Sequence, residues 1–425
     1  MTRSHPTPEQ LLARRHAADR RFRLYGLAGL GIAMVALVLL LGTMLLQGWG
    51  VLLQARLTLP IQFDPALVDP KGDRSPASLA MGDYRVLVSR ALQEALPEVK
   101  ERAQRRTLGK LMSDGASYQL QEMVLANPAL VGTQQQVSLA ASDDVDMWLK
   151  GTVSKDIPEN QRRITDAQAG WIATLEKAGA LGLEFNSDFF TRGDSRDPEM
   201  AGVLGAIKGS FLALVVTFLI SFPLGVATAV YLEEYAVKGR WADFIEVNIN
   251  NLAAVPSIVF GLLGLALFLN FMHMPRSAPL VGGLTLALMT LPTLVIATRS
   301  ALRSVPQAIR DGARALGASP LQVVLHHVLP LAVPGMLTGS IIGMARALGE
   351  TAPLLLIGMV AFIMDVPDGF TDPATALPVQ IFLWADSPER AFLEKTAGAT
   401  LVLLGFLLAM NGLAVLLRHR FERRW

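Results

Sequence analysis

Residues 304–334 read SVPQAIRDGARALGASPLQVVLHHVLPLAVP, and the turn chemistry of this stretch decides how the rest of the chain is read. Pro306 suits the first turn of a helix running to about Leu316, and Gly317 suits the left-handed position that ends one. Ser319, Pro320 and Gln322 then fit a second start, with Ser at the N-cap, Pro in the first helical position and Gln completing a capping box. Pro330 has no N–H to donate and its ring crowds the preceding turn, so the second helix is expected to stop or kink there. The stretch is a short helix, a tight glycine turn and another short helix. A helix-turn-helix on DNA also carries Gly in its turn, but this pair sits between two apolar segments and its basic charge is modest. A rigid helical pair so placed suits docking on a partner and passing on its motion. A mere connector does not need this much turn chemistry.

The flanking segments are long enough for a bilayer, whose hydrocarbon core of about 30 Å needs roughly 20 apolar residues in a helix. Candidate spans fall at 24–46, 209–232, 252–272, 280–298, 334–362 and 396–417, six in all. The Arg-rich flank of the first imitates a signal peptide, but its apolar run is too long and no clear small-residue cleavage site follows, so it is read as retained. Lys and Arg in short flanks set orientation. Arg3, Arg14, Arg15, Arg20, Arg21 and Arg23 precede the first span, and Arg418, Arg420, Arg423 and Arg424 follow the last, which places both termini in the cytoplasm. Arg299, Arg303, Arg310 and Arg314 place loop 299–333 on the same side. Loop 363–395, with Arg390 and Lys395 against six acids including Asp365, Asp368 and Asp372, is then external.

Residues 51–200 also lie outside and carry 17 Lys/Arg and 21 Asp/Glu, about half of the chain's charge. Helical patterns at 84–99 and 161–178 mix with strand-like pieces at 57–63 and 134–140, so an α+β domain is expected. No catalytic constellation appears in it; its charges read as a solvated surface. The whole chain is only 17% charged, against about 25% for a soluble domain. A net charge of +2 argues against nucleic acid, and the absence of cysteine removes disulfides, thiol nucleophiles and Cys-ligated metals. Six scattered histidines without His-Glu-x-x-His leave no zinc hydrolase.

Asp311-Gly312-Ala313, three residues, Gly317, and later Leu329-Pro330 resemble the EAA loop of binding-protein-dependent ABC importer permeases: Glu-Ala-Ala, three residues, Gly, nine residues, Ile, one residue, Leu-Pro. Three positions depart: Asp311 replaces Glu, Gly312 the middle Ala, and His327 the Ile. The sequence from Arg346 through Gly349-Glu350-Thr351-Ala352-Pro353 to Leu355 resembles the PstA branch, the phosphate permease subunits, as do Tyr231-Leu-Glu-Glu-Tyr235, Pro256-Ser-Ile-Val-Phe-Gly261 and Leu377-Pro-Val-Gln-Ile-Phe382. The likeness covers 24–48 and 185–420; the region 50–185 resembles an extra domain of longer members, and no role carries over to it.

The resemblance implies an all-α polytopic membrane protein with six transmembrane helices, the type I ABC importer permease fold, and an inserted α+β periplasmic domain. Its parts are a cytoplasmic segment 1–23, a first transmembrane helix 24–46, a periplasmic domain 50–200, and a permease domain 205–420 holding coupling loop 304–334. The implied activity is passage of inorganic phosphate across the bacterial inner membrane, after delivery by a periplasmic binding protein (PstS-like). The implied partners are a second permease subunit (PstC-like) and two copies of a cytoplasmic ATPase (PstB-like). The chain has no Gly-x-x-x-x-Gly-Lys-[Ser/Thr] loop, so ATP and Mg²⁺ are expected on the ATPase, and this subunit is expected to hold no cofactor or metal and to be no enzyme. Asp311, Gly312, Ala313, Gly317, Ser319, Leu329 and Pro330 are the expected coupling residues. A permease for molybdate or sulfate remains the alternative in this class. A membrane-anchored sensor needs one or two spans and no such loop, and a secondary transporter functions without an ATPase.

Arg346, Glu350 and Thr351 are the candidate substrate path. Arg346 and Glu350 are four residues apart and are expected to share one helix face within span 334–362. Counted from Pro334, Arg346 lies about 18 Å in, at a depth where a charge faces a bundle interior or a wet cavity. Pro353 has no N–H for the carbonyl of Gly349. Arg346 then offers a guanidinium fork to a passing anion, with Glu350 holding it and tempering its grip; the competing reading is a self-contained ion pair.

Overall fold

The structure, a computed structural model, describes residues 8–153, 157–237, 239–360 and 362–421. Of the basic residues used for orientation, Arg3, Arg423 and Arg424 lie outside these. Five of the described helices are long and apolar enough to cross a membrane: Arg15–Leu52 (within a helix that begins at Pro8), Leu204–Tyr235, Pro279–Arg303, Pro320–Gly349 and Ala391–Arg420. The sixth candidate is a pair of shorter helices, Arg240–Ala253 and Ser257–Phe271, which are long and apolar enough only together and are bent by 100° at the break between them. Hydropathy predicts a continuous helix for this third span; Pro256, which cannot donate to the preceding turn, explains the break.

Packing fixes how these helices run. Ala213 and Val216 meet Gly283, and Gly225 meets Leu294, so Leu204–Tyr235 and Pro279–Arg303 are parallel. The Thr217 hydroxyl donates to the carbonyl of Gly283 at 3.1 Å along the same seam. Two parallel spans require the chain to recross between them, and the bent pair is the segment that does so. Pro320–Gly349 packs antiparallel on Pro279–Arg303, with Gly335 against Ala301 and Gly339 against Ala297. A β-carbon at Gly335 would lie 2.7 Å from that of Ala301. Small residues four apart let two backbones approach, which is what holds helices together where lipid leaves no hydrophobic gain.

Two expectations are corrected here. The fifth span does not run over 334–362: helix Leu329–Gly349 stops, and Glu350 is extended at φ −80°, ψ 119°. Pro353 starts a separate five-residue helix, Ala352–Leu356, because its ring cannot follow an α-helical Gly349. Nor does Pro330 end the coupling helix. Residues Val323–Val328 form a π-helical turn leading directly into Leu329–Gly349. The wider turn lets the chain pass the proline without meeting the carbonyl four residues back. What the sequence presented as a free second helix is the foot of a spanning helix.

The inserted domain hangs on a three-stranded antiparallel sheet of order β2-β1-β3, with β1 Leu53–Gln62, β2 Gln134–Ala140 and β3 Leu181–Phe185. Helices Tyr84–Ala95, Ala116–Ala126 and Asp166–Lys177 contribute to its core with Leu57, Leu59, Ile61 and Phe63 of the central strand and its end. β1 follows the first span after one short turn, and Leu53 pairs with Phe185, so the chain enters and leaves the domain on neighbouring strands. The domain is docked on the last spanning helix: Lys150 lies 2.6 Å from Asp146 and 2.7 Å from Glu394. Buried Lys395 donates to the carbonyl of Ala201 at 3.3 Å.

Candidate functional site

The helical pair forms as its caps dictate. Helix Gln307–Ala315 ends in a Schellman arrangement, with Gly317 at φ +86°, its N–H bonded to Arg314 and that of Ala318 to Ala313. Ser319 and Gln322 close a reciprocal capping box, the Ser319 N–H donating to Gln322 Oε1 at 2.8 Å. Ala313, Val323 and Val328 turn inward onto Leu302, Val305 and Met336. Asp311, Gly312, Gly317 and Ser319 stay exposed, and Leu316, Leu321 and Leu325 stand out as apolar knobs, Leu316 at 91% exposure. Leu329 and Pro330 are half-buried at the root, and His327 is exposed. The pair thus has one face packed on its own bundle and one open face of mixed charge and leucine. The Asp311–Arg314 pair across that open face is long, 3.7 Å, and mostly solvated, so it contributes little to stability.

Arg310, which the sequence offered only as an orientation marker, points the other way. Its Nη2 lies 2.8 Å from Glu234 Oε1, and both side chains are under a tenth exposed. Beside it Glu233 takes Arg303 at 2.8 Å and Arg299 at 3.4 Å. Glu233 and Glu234 sit in the π-turn Tyr231–Tyr235 that closes the second span. Two adjacent acids at the basic end of an apolar helix were the available signal, since such carboxylates need cationic partners.

At its other end, about 39 Å away along the axis, Pro320–Gly349 carries Arg346 in its last turn. The pairing with Glu350 is present but loose: Nε to Oε1 is 3.4 Å, with Arg346 48% and Glu350 19% exposed. A tight N–H···carboxylate contact is nearer 2.8 Å. No other described residue bonds to the Arg346 guanidinium, so its two terminal nitrogens are open. The helix carbonyls exposed at this terminus favour a cation there. Glu350 is the helix cap rather than part of the same helical face, and Thr351, half-buried, starts the short helix without capping it through its side chain. That short helix packs on the bent third crossing, where a β-carbon at Gly261 would lie 2.7 Å from the Cα of Pro353. Arg346, Glu350 and Thr351 therefore come together where two interrupted helices meet. Among the described residues, no cluster of His, Asp or Glu could hold a metal.

Residues 221–425 match the family described as binding-protein-dependent transport system inner membrane component, and residues 9–159 match a domain of unknown function, DUF3333. The chain is 34% identical over 223 residues to phosphate transport system permease protein PstA 1 of Mycobacterium tuberculosis, covering 52% of this chain and 72% of that protein. With PstA of Haemophilus influenzae it shares 34% over 243 residues, 57% of this chain and 84% of the relative. Among solved structures, an inward-facing methionine ABC transporter, MetNI, overlays with a TM-score of 0.42 at 17% identity, over 52% of this chain and 95% of that one. By its identity to the PstA proteins over most of their length, the chain belongs to the binding-protein-dependent inner-membrane permeases of the PstA type.

Proposed function

We propose that the chain is the transmembrane permease subunit of an ATP-driven importer that passes inorganic phosphate across the bacterial inner membrane. The observation that carries the mechanism is the continuity of Pro320–Gly349, which has the capped, exposed turn at one end and Arg346 at the other. Motion imposed on the turn is delivered to the arginine without a flexible joint between them. The substrate class follows from the PstA relatives, which are named for phosphate transport. The permease adopts the type I importer fold, with both termini in the cytoplasm and 51–200 in the periplasm. ATP and Mg²⁺ belong to two copies of a cytoplasmic PstB-like ATPase seated on the exposed face of 307–325. A PstC-like subunit completes the pathway, and a PstS-like protein delivers phosphate from outside. The Arg346 fork, half-exposed on its own subunit, faces that shared pathway. Its open nitrogens receive two phosphate oxygens at once, while Glu350 holds the side chain and keeps the anion from binding too tightly. This subunit performs no bond-breaking step.

Phosphate uptake by cells lacking the chain, complemented with variants, tests the reading. Arg346→Gln should abolish uptake with the complex still assembled, and Arg346→Lys should fail substantially because a point charge loses the two-pronged geometry. The exchange Arg346→Glu with Glu350→Arg separates a path residue from a structural pair, since wild-type uptake by the exchanged protein would leave only the pair. Cysteines introduced into this cysteine-free chain at exposed Tyr118 and Ser304 test topology: an impermeant thiol reagent on intact cells should label the first and spare the second.

A further inference from the structure

The Arg310 guanidinium binds three elements at once. Nε and Nη2 reach Glu234 Oε1 at 3.1 and 2.8 Å, Nη1 donates to the carbonyl of Val305 at 2.6 Å, and Nη2 donates to that of Leu302 at 2.9 Å. Glu234 belongs to the turn that closes Leu204–Tyr235, Leu302 to the end of Pro279–Arg303, and Arg310 to the exposed helix Gln307–Ala315. We propose that Arg310 and Glu234 are positioning residues that form the joint through which displacement of the cytoplasmic helix moves the second and fourth crossings as one unit.

The arrangement suits a joint. The exposed helix itself has few apolar anchors, Ile309 and Ala313 among them, and its connection to Pro279–Arg303 is a three-residue link. The buried fork adds a second, directional attachment to a different crossing. Breaking it is costly, because a buried charge is then left without its partner. The two crossings it joins are already locked in parallel at Gly283, so whatever moves one carries the other. Glu233 with Arg299 and Arg303 reinforces the same seam from a more exposed position. A Lys ammonium offers one point of charge and cannot meet the carboxylate and both carbonyls together. Pro320–Gly349 thus carries motion to Arg346 directly, while Arg310 carries it to the other half of the bundle.

This inference rests on the exposed helix being the ATPase contact. In proteoliposomes of the complete transporter, Arg310→Lys and Glu234→Gln should retain ATPase subunits at wild-type stoichiometry and continue to hydrolyse ATP. Phosphate moved per ATP should fall about tenfold. Wild-type phosphate per ATP in both variants would overturn the joint, and so would loss of the ATPase from both complexes, which would make the pair a staple of the fold. The exchange Arg310→Glu with Glu234→Arg restores a simple ion pair but not the donors to Leu302 and Val305. Recovery of coupling by that exchange would support the pair as the attachment to the second crossing. Gly317→Val, which forces a β-carbon into the left-handed turn, separates the premise from the inference. Full uptake with Gly317→Val sinks the ATPase contact itself, whereas its failure alongside normal Arg310 and Glu234 variants sinks only the joint.

Discussion

In the inserted domain Leu57, Leu59, Ile61 and Phe63 are almost wholly lost from water, whereas in the spanning half close approaches fall at Gly209, Gly283 and Gly339, which have no side chain. The large apolar residues of the spanning half often point outward instead: Ile32 is 72% exposed, Leu46 84% and Leu408 70%. One chain therefore uses two solvents. Against water, burying an aliphatic side chain supplies the drive. Against lipid that drive is absent between helices, so close approach of backbones and a few directed polar contacts decide which helices pair. The ion pairs follow the same division. Solvated pairs such as Arg85–Asp114 decorate the domain, while buried ones include Arg56–Asp188 at the base of its sheet, Lys150–Glu394 where the domain meets the last helix, and Arg310–Glu234 at the far end of the bundle.

The largest effect should come from adding a side chain where the spans touch. A β-carbon at Gly283 would stand only 2.5 Å from the Ala213 carbonyl oxygen and 2.4 Å from the Val216 side chain. With Gly283→Leu no folded protein should be recovered from membranes, and normal yield would break the contrast drawn above. In the domain the opposite change should hurt. Leu120→Ala empties a fully buried position and should cost about 2–5 kcal/mol, read as a lower unfolding midpoint of the purified chain, while Leu408→Ala, on the exposed outside of the bundle, should barely move it. Between the two regions, burial pushes the Glu199 carboxyl up to about 7. The folded protein then holds a proton that the unfolded chain has released, so this stabilisation is full below about 4.5 and is lost as the pH rises to about 7. The loss is at most about 3 kcal/mol. Glu199→Gln should remove that slope from a midpoint-versus-pH curve, and an unchanged slope would show that other groups set it. The smallest effect belongs to Gly312→Ala. Nothing lies within 4 Å of its β-carbon position, so uptake should persist, with a gain of at most about 1 kcal/mol from helix propensity.

What the sequence disclosed divides along physical lines. Apolar length located five candidate spanning helices, and local hydrogen-bonding rules placed Gly317 and the Ser319–Gln322 box correctly, because caps depend on residues close along the chain. Continuity was harder. Hydropathy registers that 252–272 and 334–362 are apolar, not that Pro256 and Pro353 interrupt them, and the rule for Pro330 assumed α geometry where a π-turn makes room. In the domain, β2 was found to the residue and β1 in part, but β3 (Leu181–Phe185) passed unnoticed, being short, exposed on most positions and dependent on its partner for existence. Arg310 and Glu234 are 76 residues apart, and no local pattern joins them. For Arg346, Glu350 and Thr351 the sequence supplied the cluster, while the looseness of the pair and the meeting of two interrupted helices needed coordinates.

The pairing of Leu53 with Phe185 has a consequence for how such a chain could be built or dismantled. Directly opposed residues of antiparallel strands have Cα atoms about 5 Å apart, so excising everything between them leaves two ends that a short turn can rejoin. The crossings would not need to shift to accommodate the deletion. What the shortened chain would lack is Lys150, the counterweight for Glu394 at the head of the last helix, whereas Lys395 would keep the carbonyl of Ala201 and the ring of Phe189. A minimal version of this permease is therefore two edits rather than one: the excision, and a neutral residue at 394.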